Sequence, residues 1–337
     1  MGGAVYDCVI VGGGSAGCVL ANRLSADPDC RVLVLEAGRP ERSWDVLVQM
    51  PAGAMLTMGN RLYDWDYRSE PEPHMNGRRI SLARGKMLGG SSSINGMVFQ
   101  RGNPLDFDSW ADSDPSLATW SFDHCLPYFK RLERTTYGDA MFRGRTGPLV
   151  VERSPAENPM TQAFFLAAQE AGYSMSNDFN GARQKGFGPM DRNVQNGRRF
   201  SAYRAYLQPV LGRKNLDIKT RAHVHRVMFD GRRAVGVEYT HMGRRLRRAP
   251  AGEVILAGGT INTPQVLQLS GVGEADHLRK LGIDVVEHLP GVGENLQDHL
   301  EVYVQHASTK PVSLSPALPR LPRIGSLRTR LKTQSAN

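Results

Sequence analysis

Apolar runs that stop at glycines divide the beginning of this chain into predicted strands and a helix. Residues 5–11, VYDCVIV, and 31–38, RVLVLEAG, are largely apolar, as expected of parallel strands that are buried on both faces. Between them, CVLANRLS carries Val19, Leu20 and Leu24 at helical spacing. A strand, a helix and a second strand in this order predict a βαβ unit and an α/β fold.

Alternating polar and apolar residues predict a second group of strands. Residues 217–220, 223–229 and 233–239 alternate in this way, and we expect them to form a small sheet. The apolar run EVILAGG at 253–259 is predicted to follow as the last strand of the parallel sheet.

Two further helices are predicted. In INTPQVLQLSG, Thr263 suits the N-cap and Pro264 the first helical position, because proline lacks the N–H group that a first turn leaves unpaired. Residues 158–173 place Phe164 and Ala168 on one broad face, which predicts an amphipathic helix.

The glycines that follow the first predicted strand form the pattern G-x-G-x-x-G, with Gly12, Gly14 and Gly17 in GGGSAG. In a dinucleotide site the first glycine makes the tight turn, the second lets the backbone approach a pyrophosphate, and the third lets the helix pack on the sheet. Glu36 ends the second strand, where it can accept hydrogen bonds from a ribose. The complete arrangement predicts a dinucleotide site.

Composition and charge add little to this picture. The 337 residues are 40% hydrophobic and 22% charged, which is typical of a soluble globular protein. The net charge is +9, but the basic residues are scattered except for RRLRR at 244–248, where we expect a solvated hairpin turn. No aromatic and basic recognition pattern accompanies them, so nucleic-acid binding is not predicted.

The four cysteines show no CxxC spacing, so neither a zinc site nor a disulfide framework is predicted. Reduced thiols and a cytoplasmic location are the expectation. The sequence contains no pattern of a signal peptide or a transmembrane segment.

The stretch GKMLGGSSSINGMV at 85–98 combines glycines and serines with apolar residues. A flexible linker has no use for the apolar residues, and a helix or strand is weakened by the glycines. Glycines allow close backbone approach and serines offer hydroxyl groups, which indicates contact with a ligand.

Three segments resemble signatures of the glucose–methanol–choline oxidoreductases, FAD-dependent enzymes that oxidise alcohols. They are ARGKMLGGSSSINGMVFQRGNPLDFDSWA at 83–111, GGTINTPQVLQLSGVG at 258–273 and LPGVGENLQDH at 289–299. The resemblance extends from about residue 4 to about residue 312. Within the family, the N-terminal part is most similar to choline dehydrogenase-like and aliphatic alcohol dehydrogenase members.

The resemblance implies a Rossmann-like FAD-binding domain with a parallel sheet, together with an interleaved, incomplete α+β substrate-binding domain. The implied FAD-binding domain is discontinuous and comprises residues 1–40, 80–145 and 215–300. Residues 41–79 are expected to form a lid or connecting segment, and 146–214 and 301–337 part of the substrate-binding domain.

Bound FAD is expected to be non-covalent, because Ile94 stands where some members of the family attach the flavin through a histidine. No metal site is expected. The dinucleotide pattern and the resemblance together give the following cofactor-binding residues: Gly12, Gly14, Ser15, Ala16, Gly17, Glu36, Met87, Gly89, Gly90, Ser93, Asn95, Gly96, Met97, Val98, Val224, Ala257 and Gly258.

The resemblance further implies oxidation of a primary alcohol, choline-like or aliphatic, to the aldehyde by hydride transfer to flavin N5. In the family the catalytic base is a histidine near the C-terminus, beyond Asn337 here, so the chain is expected to be truncated and its catalytic residue is unknown. His299 is assigned to a structural hydrogen bond, and His223 and His225 to surface or packing roles.

Alternative interpretations remain open from the sequence. The chain is either the cofactor-binding portion of an active enzyme or an FAD-binding remnant without activity, and a basic partner-binding protein that has lost flavin is a third reading. The electron acceptor, quinone or oxygen, is not predicted. For a choline substrate, Trp65, Tyr63 and Glu70 are candidates for an aromatic and acidic cage.

Overall fold

The secondary structure is described for residues 6–244, 246–299 and 301–304 of a computed structural model. The helices are α1 (Ser15–Leu24), α2 (Val46–Gln49), α3 (Ala54–Thr57), α4 (Pro104–Ser113), α5 (Phe122–Leu132), α6 (Pro159–Glu170), α7 (Gly259–Leu269) and α8 (Ala275–Lys280). The strands are β1 (Tyr6–Val11), β2 (Val32–Glu36), β3 (Tyr67–Arg68), β4 (Ser81–Leu82), β5 (Glu133–Arg134), β6 (Leu149–Val150), β7 (Glu152–Arg153), β8 (Asp191–Arg192), β9 (Val194–Gln195), β10 (Arg198–Arg199), β11 (Leu216–Thr220), β12 (Ala222–Asp230), β13 (Arg233–His241), β14 (Leu246–Leu256), β15 (Val272–Gly273) and β16 (Glu287–His288).

The largest sheet among the described residues has six strands in the order β11-β2-β1-β14-β13-β12. β11, β2, β1 and the second half of β14 are parallel, and Val11 pairs with Leu256 at the end of β1. The first half of β14 is antiparallel to β13, which is antiparallel to β12. The predicted α/β fold with a parallel sheet is therefore confirmed.

Apolar clusters cover both faces of the parallel part of this sheet. On one face, α1 and the π-helical segment Tyr203–Leu207 pack over Ile10 and Val34. On the other face, residues of β12, β13 and α7 pack over Val9 and Leu33. Because both faces are buried there, β1 and β2 carry few polar residues, which is the pattern that identified them.

The predicted βαβ unit is confirmed, with β1, α1 and β2 in the expected order. The predicted helix at 158–173 is also confirmed as α6, where the Asn158 side chain accepts a hydrogen bond from the backbone N–H of Met160. In both cases local apolar periodicity agrees with the burial that the fold provides.

The predicted partner of residues 217–220 was wrong. These residues are a strand, β11, but β11 pairs in parallel with β2 instead of joining the antiparallel strands that follow. Arg221 separates β11 from β12 in the left-handed conformation, with a φ of +54°, and its N–H donates to the Gly38 carbonyl. Alternation of residue types identifies a strand but does not specify its neighbour.

The predicted start of α7 was also wrong. The helix begins at Gly259, directly after the N-cap Gly258, and Pro264 lies inside it instead of at its first position. Strand β14 likewise ends at Leu256, before the predicted end at 259. The two consecutive glycines let the chain pass from strand to helix without the longer turn that a Thr263 cap requires.

The arginine-rich run at 244–248 is only partly a turn. Met242 and Gly243 make the turn, with φ angles of +54° and +66°, and β14 begins at Leu246. Arg248 therefore lies on a strand, where its Nε atom is 2.8 Å from Glu238 Oε1. Residue 245 lies outside the described residues.

The chain divides into two compact units. The first comprises the described residues up to Ser154, together with Asp178–Gln184 and Met190–Gln297. The second comprises Pro155–Asn177, Lys185–Pro189 and the described residues from Asp298, and contains α6. The functional domain boundaries inferred from the sequence stay predictions, and residues 305–337 lie outside the described residues.

Candidate functional site

A cavity of about 560 Å³ lies in the first unit, where β1, β2 and β14 reach their carboxyl ends. In open parallel sheets this is the edge at which ligands bind. Its walls are formed by the turn after β1, the end of β2, the start of β12 and the turn from β14 into α7. A few residues between 65 and 91 also line it.

The glycine turn after β1 packs so closely that side chains cannot be added at two of its positions. A Cβ atom on Gly12, whose φ is +102°, would lie 2.5 Å from the Ala257 carbonyl oxygen. A Cβ atom on Gly17 would lie 2.0 Å from the Gly12 carbonyl oxygen. Gly14, in contrast, borders the cavity, and its added Cβ would be 3.9 Å from the nearest atom, Gly90 Cα.

Glu36 presents a buried carboxylate on the cavity wall, with 6% of its surface exposed. Its Oε2 accepts a hydrogen bond from the Gly13 N–H at 2.8 Å, and its Oε1 accepts one from the Gly38 N–H at 2.7 Å. Burial raises the pKa of this carboxyl group to about 7, against the opposing effect of the two N–H donors and Lys86. The carboxylate is thus fixed in orientation and keeps lone pairs for a ligand.

Aromatic side chains form a further part of the wall. Trp65 and Tyr67 stack with centroids 5.7 Å apart and planes 5° apart, and the Lys86 ammonium lies 4.3 Å from the Trp65 ring centroid. The Tyr67 hydroxyl donates to the Asn262 side-chain oxygen, which ties the aromatic wall to α7. The sequence indicated only Trp65 of this group, as a candidate for a choline cage, because Lys86 and Asn262 come from separate segments.

His223 also lines the cavity and is 5.8 Å from Trp65 and 5.1 Å from His225, measured between ring centroids. Burial, and then His225 and Lys86, lower the pKa of His223. All three effects favour the neutral form of the ring. The sequence assigned this residue only a surface or packing role, whereas the structure places it on the wall of the cavity.

The serine–glycine stretch reaches the cavity through Gly85 and through Gly90 and Ser91, but residues 92–98 do not line it. Gly90 and Ser91 line the cavity at the start of the 3₁₀ segment Gly90–Ser93. Ser93 is fully buried, and its Oγ atom lies 2.9 Å from both Glu41 Oε2 and the Leu88 carbonyl oxygen. This serine is therefore held by the protein interior.

The predicted cofactor-binding residues separate into two sets. On the cavity wall lie Gly12, Gly14, Ser15, Ala16, Glu36, Gly90, Val224, Ala257 and Gly258. Away from that wall are the buried residues Gly17, Met87, Gly89, Ser93 and Met97 and the exposed residues Asn95, Gly96 and Val98.

The three candidates for a choline cage are not brought together. Trp65 belongs to the cavity wall, whereas the buried Tyr63 donates to Asp45 and the exposed Glu70 pairs with Arg79.

In the second unit, His299 is exposed and its backbone N–H donates to the side chain of Asp298.

The described residues contain neither a metal-binding cluster nor a membrane-spanning helix. Across residues 6–244, 246–299 and 301–304, no group of three or more histidine, cysteine, aspartate or glutamate residues is arranged to hold a metal ion. In the same ranges, none of the helices has both the length and the apolar character of a membrane span.

Known proteins share sequence with this chain over most of its length. A family model described as GMC oxidoreductase matches residues 6–301. The oxygen-dependent choline dehydrogenase of Staphylococcus saprophyticus subsp. saprophyticus is 57% identical over 319 residues, which cover 94% of this chain and 56% of that protein. This chain therefore spans little more than half the length of such relatives.

Solved structures of other proteins have a fold similar to that of this chain. Pyridoxine 4-oxidase from Mesorbium loti superposes with a TM-score of 0.79 and 36% identity, over 85% of this chain and 55% of that one. An FAD-dependent oxidoreductase from Chaetomium thermophilum gives a TM-score of 0.79 and 34% identity, over 87% of this chain and 52% of that one. The family and these neighbours imply FAD as the cofactor. The chain belongs to the GMC oxidoreductase family.

Proposed function

We propose that this chain binds FAD in the cavity at the ends of β1, β2 and β14 and takes part in oxidising a primary alcohol to the aldehyde. One observation carries the proposal: the glycine turn, the start of α1 and the buried Glu36 meet on the wall of one cavity. The relatives named choline dehydrogenase give the reaction class.

The residues around the cavity fit the parts of FAD. No side chain caps the start of α1, so its first N–H groups are available to a pyrophosphate, and Ser15 and Ala16 line the cavity there. The Glu36 carboxylate has lone pairs left to accept hydrogen bonds from a ribose diol. We assign the adenine to the wall that contains Val224.

Bound FAD supplies the acceptor for the hydride that leaves the alcohol carbon. The residues of this chain bind and orient: the start of α1 compensates phosphate charge, and Glu36 fixes the ribose. The alcohol must also lose its hydroxyl proton to a base. We do not assign this base to His223, because that ring lies beside Trp65 in the part of the wall where we place the adenine.

We further propose that FAD is held non-covalently. Ile94 occupies the position at which some members of the family carry the histidine that attaches the flavin. It is 2% exposed and packs with Val48, Tyr63 and Met87. An alkyl side chain has no nucleophile, so it cannot form that bond.

The substrate we favour is choline or a similar quaternary ammonium alcohol, since relatives at 57–58% identity carry that name. The same names contain the words "oxygen-dependent", which favours oxygen over a quinone as the electron acceptor.

The proposal is tested by visible absorption spectroscopy of the purified chain after loading with FAD and desalting. The choline dehydrogenase of S. saprophyticus serves as the positive control, and tetramethylammonium, which lacks the hydroxyl group, as the control ligand. We expect this chain to retain a flavin band that acid denaturation releases into solution and that choline bleaches without oxygen. Retention without bleaching supports an FAD-binding chain that does not itself oxidise the alcohol, and a colourless chain refutes the cofactor site.

A further inference from the structure

Arg199 is a buried arginine beneath the serine–glycine stretch, with 1% of its surface exposed. Its Nε atom donates to the Val48 carbonyl at 3.0 Å, and its Nη1 atom donates to the Ser92 carbonyl at 3.1 Å and to Asn95 Oδ1 at 2.8 Å. Three separate points of the chain, α2, the 3₁₀ segment and Asn95, are therefore held by one guanidinium group.

This arrangement is costly for the fold. Burial lowers the pKa of Arg199 to about 10, although the charge of Glu41 opposes that shift. All three acceptors are neutral, and Nη2 has no partner among the described residues. A buried cation that is not paired directly with a carboxylate costs stability. A role in packing alone does not require the charge or the planar donor group.

The bond to Asn95 fixes the orientation of an exposed amide. Asn95 Oδ1 accepts from Arg199 Nη1 and also from the Met97 N–H at 3.0 Å. Two donors on one atom identify that atom as the oxygen, so the Nδ2 group is directed away from both. The second bond also holds Met97 in the left-handed conformation, with a φ of +63°. Asn95 thus presents an N–H donor at the surface.

The residues after Arg199 hold the same stretch from a second side. The Ala202 N–H donates to Ser92 Oγ at 2.9 Å. Ser201 Oγ and Ser93 Oγ both donate to Glu41 Oε2, at 2.6 Å and 2.9 Å. Residues 199–202 therefore fix the backbone of residues 92–95 over a short distance, which leaves the Asn95 amide little freedom to turn.

We propose that Arg199 is a positioning residue: through its bonds to Ser92 and Asn95 it holds the Ser92–Asn95 turn, and with it the adjoining cavity-wall residues Gly90 and Ser91, in the arrangement that binds FAD. The inference rests on the proposed FAD site. It assigns to Arg199 no contact with FAD or substrate: its effect passes through the turn.

The test compares Arg199→Gln, Asn95→Ala and the double variant with Arg198→Gln, the exposed neighbour on β10. The readout is the visible circular dichroism of bound flavin, together with the FAD dissociation constant. We expect Arg199→Gln and Asn95→Ala each to change the flavin spectrum in the same way and to weaken FAD about tenfold, the cost of one hydrogen bond to a charged or buried group. The double variant should bind FAD no more weakly than either single variant, because both substitutions remove the same interaction.

Arg199→Lys separates geometry from charge. Lysine keeps the charge but is a point donor on a flexible stem, so we expect it not to restore the flavin spectrum. Restoration by lysine overturns the positioning role, and so do additive effects of Arg199→Gln and Asn95→Ala or a wild-type flavin spectrum in a folded Arg199→Gln protein.

A second measurement does not need FAD. Hydrogen–deuterium exchange of the cofactor-free protein should show faster exchange in residues 90–98 of Arg199→Gln, with the central sheet and Arg198→Gln unchanged. Unchanged exchange in residues 90–98 overturns the inference even if FAD binds. Faster exchange there in a chain that fails to bind FAD shows instead that the cofactor site, and not the role of Arg199 in holding the turn, was wrong.

Discussion

Two glycine-rich segments, residues 12–17 and 85–98, are both predicted to contact FAD, but different forces hold them in place. The first is fixed by its own backbone and that of Ala257, with glycine contacts too close for any side chain. The second is fixed by buried charged residues distant in the sequence, Glu41 and Arg199. The first is a local device and the second depends on the assembled fold, so substitutions should affect them differently.

The largest expected effect is that of Gly17→Ala. Its methyl group would lie 2.0 Å from the Gly12 carbonyl oxygen, a backbone atom that cannot move without displacing β1 from α1. We expect the free energy of unfolding to fall by about 3 kcal/mol or more and FAD to be lost. Urea unfolding and flavin absorbance measure the two effects.

Gly14→Ala is the matched control. Its methyl group would meet no atom closer than 3.9 Å, at a position that borders the cavity. The free energy of unfolding should therefore change by less than about 1 kcal/mol. FAD binding should still weaken about tenfold, since the methyl group occupies cofactor space. Equal destabilisation by the two substitutions would contradict the claim that Gly17 serves packing and Gly14 serves the ligand.

A smaller effect is expected from the pH dependence that Glu36 causes. Burial raises its pKa from 4.5 to about 7 in the folded protein, so between these values the folded chain binds more protons than the unfolded chain. The stabilisation is complete below the unfolded pKa and is lost as the pH rises to about 7. We expect cofactor-free wild type to lose up to about 3 kcal/mol relative to Glu36→Gln across this window.

The measurement is urea unfolding of both proteins at several pH values from 4.5 to 8, because the difference between them removes the contribution of other groups. If the stability of wild type relative to Glu36→Gln instead stays constant or rises with pH, the carboxylate is already ionised in the folded chain at low pH. Added FAD should reduce the difference if the ionised form accepts hydrogen bonds from the ribose.

The same comparison explains how far the sequence alone could predict the site. Gly12, Gly14 and Glu36 were predicted and lie on the cavity wall, because a strand, a turn and a helix N-terminus are encoded by neighbouring residues. Arg199 was missed because nothing near it in the sequence indicates the acceptor at Ser92, 107 residues away. Trp65 and His223 are 158 residues apart in the sequence and meet only in the assembled fold, so no local pattern could place them on one wall.

The smallest expected effect distinguishes the two roles open to Ser93. The family resemblance makes it a cofactor contact, whereas its hydroxyl lies between Glu41 and the Leu88 carbonyl in the interior. If the interior role is the only one, Ser93→Ala lowers the free energy of unfolding by about 1–2 kcal/mol, the cost of a buried hydrogen bond to a charged group, and leaves the FAD dissociation constant unchanged.

Ser91→Ala is the matched control, because Ser91 is exposed and lines the cavity. Its hydroxyl accepts one solvent-exposed hydrogen bond, from the Gly85 N–H at 3.1 Å. Because loss of an exposed bond costs little stability, its removal should weaken FAD binding more than it destabilises the fold. Weaker FAD binding by Ser93→Ala at unchanged stability would instead support the cofactor contact. In that case Glu41 orients the Ser93 hydroxyl for the ligand, and the buried charges beneath residues 85–98 serve the cofactor more directly than the contacts to Leu88 and Ser201 indicate.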